Sequence, residues 1–137
     1  MLARREHSRR ELSEKLERKG CPGPLVAEVV RELEAERFLS DERFTEALVR
    51  SRTQRGFGPL RIGKELQEKG VAEALIAQWL DTVSGDWPEI INRVRHKRFG
   101  EALPESQQER ARQARFLQQR GFTFEQIRRA FRADDWD

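Results

Sequence analysis

This chain is poor in the residues from which active sites are usually built. It has one cysteine, Cys21, and two histidines, His7 and His96. A single cysteine excludes an internal disulfide framework and suits a reducing compartment. No Cys/His cluster has the spacing of a zinc site. Cys21 follows a helix-closing glycine at an apolar position and reads as a small core residue. Both histidines stand in highly charged stretches and read as surface residues. No apolar run is long enough to span a membrane, and no signal-peptide core is present. A cytoplasmic protein is therefore expected. Gly56-Phe57-Gly58-Pro59 looks like a glycine-rich loop, but no Gly-Lys-Ser/Thr follows it, so a phosphate-gripping loop is not supported. Acidic pairs fall where helices start and serve there as caps. No stretch alternates apolar and polar residues between hairpin turns, so no sheet is expected. The chain reads as a non-enzyme with no metal and no cofactor.

What the chain does have is a repeat. Ser8 to Gly20 reads as a helix closed by a glycine. Ile62 to Gly70 repeats it, and Gln113 to Gly121 repeats it more loosely. Leu16, Leu66 and Leu117 each sit four residues before the glycine, and Lys19, Lys69 and Arg120 one before it. Glycine fits the left-handed backbone that ends a helix, and a cation suits the negative end of the helix dipole. An apolar residue follows each time: Cys21, Val71, Phe122. Further apolar pairs then draw one face of a second helix. The period is about fifty residues, near the upper end for helical repeat arrays.

Of the 137 residues, 37% are charged and 36% hydrophobic. That is too apolar and too periodic for disorder, yet too polar for one thick core. It suggests thin helical modules, each with a small core. Charge is banded. Residues 1–20 and 50–70 are rich in Lys/Arg, 21–49 and 71–92 in Asp/Glu, and Arg93 to Arg98 adds four cations. Basic first helices aligned along one side would attract a polyanion or an acidic protein surface. A solvated face laced with ion pairs such as Glu11–Lys15 is the plainer reading of any single charge.

The expected helices follow from punctuation. The first runs from near Leu2 to Lys19. Gly23-Pro24 opens the second, and Phe38-Leu39 plugs its end. Ser40 caps the third, with Phe44, Ala47 and Leu48 inside. Gly56 and Gly58 break it and Pro59 restarts the fourth. The fifth covers Ala72 to Val83, and Pro88 starts the sixth. Pro104 starts the seventh, and Thr123 to Gln126 is a capping box for the eighth. Trp79 and Trp87 read as core, and Trp136 lies in an acidic tail of Asp134, Asp135 and Asp137. Three units are expected: 1–55, 56–100 and a shortened 101–137. The fold class is all-α, with tandem three-helix, helix-turn-helix-like repeats in an elongated, curved array.

Several stretches together resemble the RecX family of bacterial regulatory proteins. They are Leu2-Ala-Arg-Arg-Glu-His-Ser-Arg-Arg-Glu-Leu, Asp41-Glu-Arg-Phe44, Arg50-Ser-Arg, Gly56-Phe-Gly-Pro-Leu-Arg-Ile62 and Glu65-Leu-x-x-Lys-Gly70. The resemblance covers nearly the whole chain and weakens after Val83. It implies three tandem three-helix repeats and a regulator of the RecA recombinase filament, usually limiting its strand exchange, ATPase and co-protease activities. The chain starts inside the first motif, and Gln113 replaces an apolar residue in the third repeat.

The expected function is a monomeric, non-enzymatic modulator lying along a RecA–single-stranded DNA filament, its cations meeting acidic protomer surface, DNA phosphate, or both. The expected contact residues are Arg9, Arg10, Arg50, Arg52, Arg55, Arg61, Lys64 and Lys69. The Gly56, Phe57, Gly58, Pro59 loop is expected to set the angle between the first two modules. Phe57 could stack on a base, anchor a partner, or simply staple the fourth helix. The alternative is a stand-alone helix-turn-helix DNA-binding protein or transcription regulator. Cations spread over several units suit phosphate tracking better than base readout.

Overall fold

The three repeat-closing glycines have left-handed backbones, with φ of 91° at Gly20, 82° at Gly70 and 98° at Gly121. They punctuate an all-helical chain. The computed structural model describes residues 5–132, and among these it holds eight α-helices and no strand. These are α1 (Arg9–Arg18), α2 (Gly23–Ala35), α3 (Asp41–Gln54), α4 (Pro59–Glu68), α5 (Glu73–Thr82), α6 (Trp87–Phe99), α7 (Gln107–Gln119) and α8 (Phe124–Phe131). Trp136 and the acidic tail lie outside the described residues.

Side-chain caps fix four of the eight starts. Ser8 and Glu11 form a capping box on α1, so α1 begins later than the expected start near Leu2. Ser40 caps α3, Ser106 caps α7, and Thr123 with Gln126 boxes α8. Ser106 rather than Pro104 starts α7, because its hydroxyl takes the Glu109 N–H at 3.0 Å. Pro59 opens α4 as expected.

Contacts group α1 with α2, then α3 with α4 and α5, then α6 with α7 and α8. The breaks fall at residues 36–40 and 83–86. The expected cuts after 55 and 100 each fall between two helices of one group. The shorter group among the described residues is the first, not the third. A glycine-closed helix marks the period of a repeat, but it leaves open where each unit begins.

The cores are also shared differently from the expected one-per-module pattern. Leu12, Val26, Val30 and Leu39 form a small cluster under α1 and α2. The second and third groups instead share one core running from Phe44, through Phe57, Ile62, Leu66 and Trp87, to Leu117, Phe122 and Phe131. Burying each such side chain contributes about 1.5–3 kcal/mol. Trp87 is buried, and Trp79 packs partly buried against this core. Leu39 is buried while Phe38 is exposed, and in α3 Thr45 and Val49 are buried rather than the expected Ala47. His7 is also buried, against the surface reading. Burial lowers its pKa, and the charge of Arg5 pushes the same way.

The three glycine-closed helices meet start to end. Ser8 Oγ, at the start of α1, donates to the Lys69 carbonyl at the end of α4 (2.7 Å). Lys69 Nζ reaches Glu11 at 3.2 Å, and Arg10 lies over Gly70 where a Cβ would collide with it. At the next junction the Gly58 N–H donates to the Arg120 carbonyl (2.7 Å) and the Leu60 N–H to the Gly121 carbonyl (2.9 Å). Arg61 covers Gly121 in the way Arg10 covers Gly70. Each junction sets the positive start of one helix dipole on the negative end of another.

Candidate anion-binding cleft

Four of the eight expected contact cations are tied to carboxylates. Arg9 Nε lies 2.9 Å from Glu34, and Arg50 lies 3.2 Å from Glu46 one turn away. Arg52 holds Glu65 through two hydrogen bonds of 2.9 and 2.6 Å, bridging α3 to α4. Lys69 belongs to the α1–α4 junction. The Arg52 hydrogen bonds hold the Glu65 carboxyl below its ordinary pKa against the effect of burial. For Glu11, burial pushes the pKa up, but hydrogen bonds from Arg5 and Lys69 outweigh it and the net direction is down. Paired charges of this kind hold helices together and offer a partner little net field.

The remaining four are placed differently. Arg10 lies over Gly70, and Lys64 is exposed on α4. Arg55 and Arg61 gather at Phe57. Phe57 is buried, with the guanidinium groups of Arg61 and Arg120 over its ring at 4.1 and 4.3 Å and that of Arg55 at 5.5 Å. Covered in this way, the ring anchors arginines and does not stack on a base. The Gly56 to Pro59 loop joins α3 to α4 within the second group. It seats that group on the end of α7, and so fixes the second group against the third, not the first against the second.

Beside Phe57 a cleft of about 620 Å³ opens between α3, α6 and α7. Arg55, Arg93, Lys97, Arg98 and Arg120 line it together with Phe116, and no carboxylate does. Two of its cations are fixed by carbonyls at the end of α3. Arg93 donates to the Thr53 carbonyl (2.8 Å), and Arg120 to those of Gly56 (3.2 Å) and Arg55. Arg98 lies 5.2 Å from the Phe116 ring centroid. Arg120 has its pKa lowered by burial first, and then by the like charges of Arg61 and Arg55. Positive charge is thus concentrated without compensation, and an anion entering the cleft would relieve it. Sequence reasoning missed four of the five lining cations. Arg93, Lys97 and Arg98 were visible as a cationic run, and Arg120 as the cation before Gly121. Among the described residues, no three His, Cys, Asp or Glu side chains come together to hold a metal. No helix there is long and apolar enough to cross a membrane.

Three family models match in tandem. The first three-helix domain of RecX matches residues 1–33, the second 40–80 and the third 86–131. Among curated proteins, the regulatory protein RecX of Halorhodospira halophila is 47% identical over 137 residues, covering all of this chain and 85% of that protein. This chain belongs to the RecX family. The regulatory protein RecX of Pseudomonas savastanoi pv. phaseolicola is 41% identical over 94% of the chain and 83% of its own length. The crystal structure of RecX from Lactobacillus salivarius superposes with a TM-score of 0.79 at 17% identity, covering 99% of this chain and 90% of that one. The RecX domain bounds fall at the same breaks as the helix contacts.

Proposed function

We propose that this RecX protein binds the RecA filament on single-stranded DNA and limits its recombinase, ATPase and co-protease activities. The observation that carries the proposal is the cleft of five cations and no carboxylate beside Phe57. An anionic protomer surface, or the filament's DNA phosphates, could enter it without displacing a carboxylate. Arg61, which lies over the Phe57 ring, Lys64 on α4 and Arg10 over Gly70 are secondary contacts outside the cleft. Several modest contacts on one rigid array add through effective concentration.

RecA ATP hydrolysis on single-stranded DNA tests this, with the RecX protein added before or after filament assembly. The variant R55A/K97A/R98A removes three lining cations and leaves Arg93 and Arg120 in place. It should keep the wild-type circular dichroism spectrum and need at least about tenfold more protein for equal inhibition, the equivalent of about 1.4 kcal/mol. Unchanged inhibition by the folded variant would remove the cleft from the mechanism. Tight, sequence-selective binding to free duplex, with no effect on ATP hydrolysis, would instead favour a stand-alone DNA-binding protein.

A further inference from the structure

The start-to-end row of α1, α4 and α7 has two free ends. At one, Lys19 and Gly20 close α1. Gly20 is exposed, and a Cβ placed there would meet open space. At the other, Ser106 caps α7, and Ser106, Gln107 and Gln108 are exposed. The two free ends carry the Ser, Glu and Lys-Gly of the junction already made inside the chain, with Gln108 where Arg10 stands. There, the docking helix brings Ser8 at its cap and Glu11 three residues on, and the receiving helix ends in Lys69-Gly70. At the free ends, Ser106 and Glu109 stand in the docking positions and Lys19-Gly20 in the receiving ones.

The match extends to the bond that each cap hydroxyl accepts, although the reciprocal Ser8 N–H to Glu11 bond has no counterpart at Ser106. Ser8 Oγ accepts from the Glu11 N–H at 3.1 Å, and Ser106 Oγ accepts from the Glu109 N–H at 3.0 Å. In Ser8 the hydroxyl hydrogen goes on to the Lys69 carbonyl. In Ser106 it is given to no protein group among the described residues. Glu11 is gripped by Arg5 through both oxygens and still takes Lys69 on Oε2. Glu109 is gripped by Arg112 through both oxygens, at 2.7 and 2.9 Å, with Gln113 on Oε1, which leaves Oε2 with the single Arg112 bond. Lys19 is exposed and forms no ion pair among the described residues.

We propose that copies of this protein associate end to end, with the start of α7 in one copy seated on the Gly20 end of α1 in the next. Ser106 then donates to the Lys19 carbonyl and Glu109 meets Lys19 Nζ, as Ser8 and Glu11 do with Lys69. The docking and receiving surfaces differ, so the contact is heterologous. It repeats into an open chain and does not close as a dimer. Each contact is small, so dilute protein stays monomeric. Association appears at high concentration, or where a repeating polymer holds copies side by side. The inference does not depend on what that polymer is.

Sedimentation velocity of the full chain tests it, from about 10 μM to about 1 mM, the range where a contact this small should register. The weight-average sedimentation coefficient should climb steadily and pass the dimer value. Lys19→Glu and Glu109→Lys should each lower the association constant about tenfold or more, because the ion pair becomes a repulsion. When the two variants are mixed, copies can alternate along the chain. Every contact then joins opposite charges, in the native sense at one and reversed at the next, and association beyond a dimer should return. Simple misfolding of either variant could not produce that restoration. A wild-type protein that stays monomeric throughout, one that stops at a closed dimer, or a mixture no better than its components would each overturn the proposal.

Discussion

Gly58→Ala should be among the most damaging single substitutions in this protein. The reason lies in the backbone of another helix group. Gly58 has φ of −91° and ψ of 173°, which alanine adopts freely, so the residue itself is unstrained. A Cβ at this position, however, would stand 2.5 Å from the Gly121 C and O atoms and from the Phe122 N. Ordinary contact begins near 3.4 Å, so the two backbones must part by roughly 1 Å, an overpacking cost of about 1–3 kcal/mol. Parting also stretches the hydrogen bonds from Gly58 and Leu60 to the end of α7, at about 1 kcal/mol each. Alanine returns about 0.4–1 kcal/mol by restricting the unfolded chain. The net loss is about 2–4 kcal/mol, or a fall in Tm on the order of 10 °C for a chain of this size. Urea denaturation followed by circular dichroism measures it. Gly85→Ala is the control, since its Cβ would meet open space, and it should lie within about 0.5 kcal/mol of wild type. If Gly58→Ala proves as stable as Gly85→Ala, the close approach of α4 to the end of α7 is not what joins the second and third groups.

Arg52→Ala should cost about 1 kcal/mol, because it breaks a two-bond, half-buried bridge between α3 and α4. Arg50→Ala, with its exposed pair, should stay within about 0.5 kcal/mol, and urea midpoints separate the two. The lowered carboxyl pKa values of Glu11 and Glu65 mean that the native state binds fewer protons than the unfolded one below the ordinary value of 4.5. The stability they contribute is full above that pH and is lost as the pH falls toward their folded values, so Glu65→Gln should flatten the acid limb of a stability–pH curve. His7, lowered from 6.5 by burial, should add an earlier loss that begins as the pH falls below that value, and His7→Asn should abolish that step.

The helix count, two of the four side-chain caps and the closing glycines are legible in the sequence, because each is set by a few neighbouring residues. Pro59, Ser40 and the Thr123–Gln126 box act where they stand. The Ser8–Glu11 box is equally local, but the charged run before it also reads as helical and hides it. The grouping of helices is not legible. Gly20, Gly70 and Gly121 fix the spacing of the repeat, while the unit boundary depends on which neighbour α3 and α6 pack against, many residues away. His7 shows the same limit. Its charged neighbours suggest solvent, yet the ring just before the helix cap is buried, with Nδ1 3.1 Å from the Arg5 carbonyl. For the cleft, composition cannot separate Arg52, which Glu65 occupies, from Arg98 and Lys97, which line an acid-free opening. Phe57 looks available because glycines flank it, but its ring is covered by cations arriving from α4 and α7.

The junctions also dictate when this chain can become itself during synthesis. The α1–α2 group has only four buried apolar residues of its own, and the Ser8 hydroxyl waits for a carbonyl at Lys69. The middle segment waits in turn for the Arg120 and Gly121 carbonyls and for the Phe122 ring. The first and second groups are each completed by something made later. Nascent chains stalled before Gly121 emerges should therefore be protease-sensitive along most of their length, and full-length release should bring resistance in a single late step.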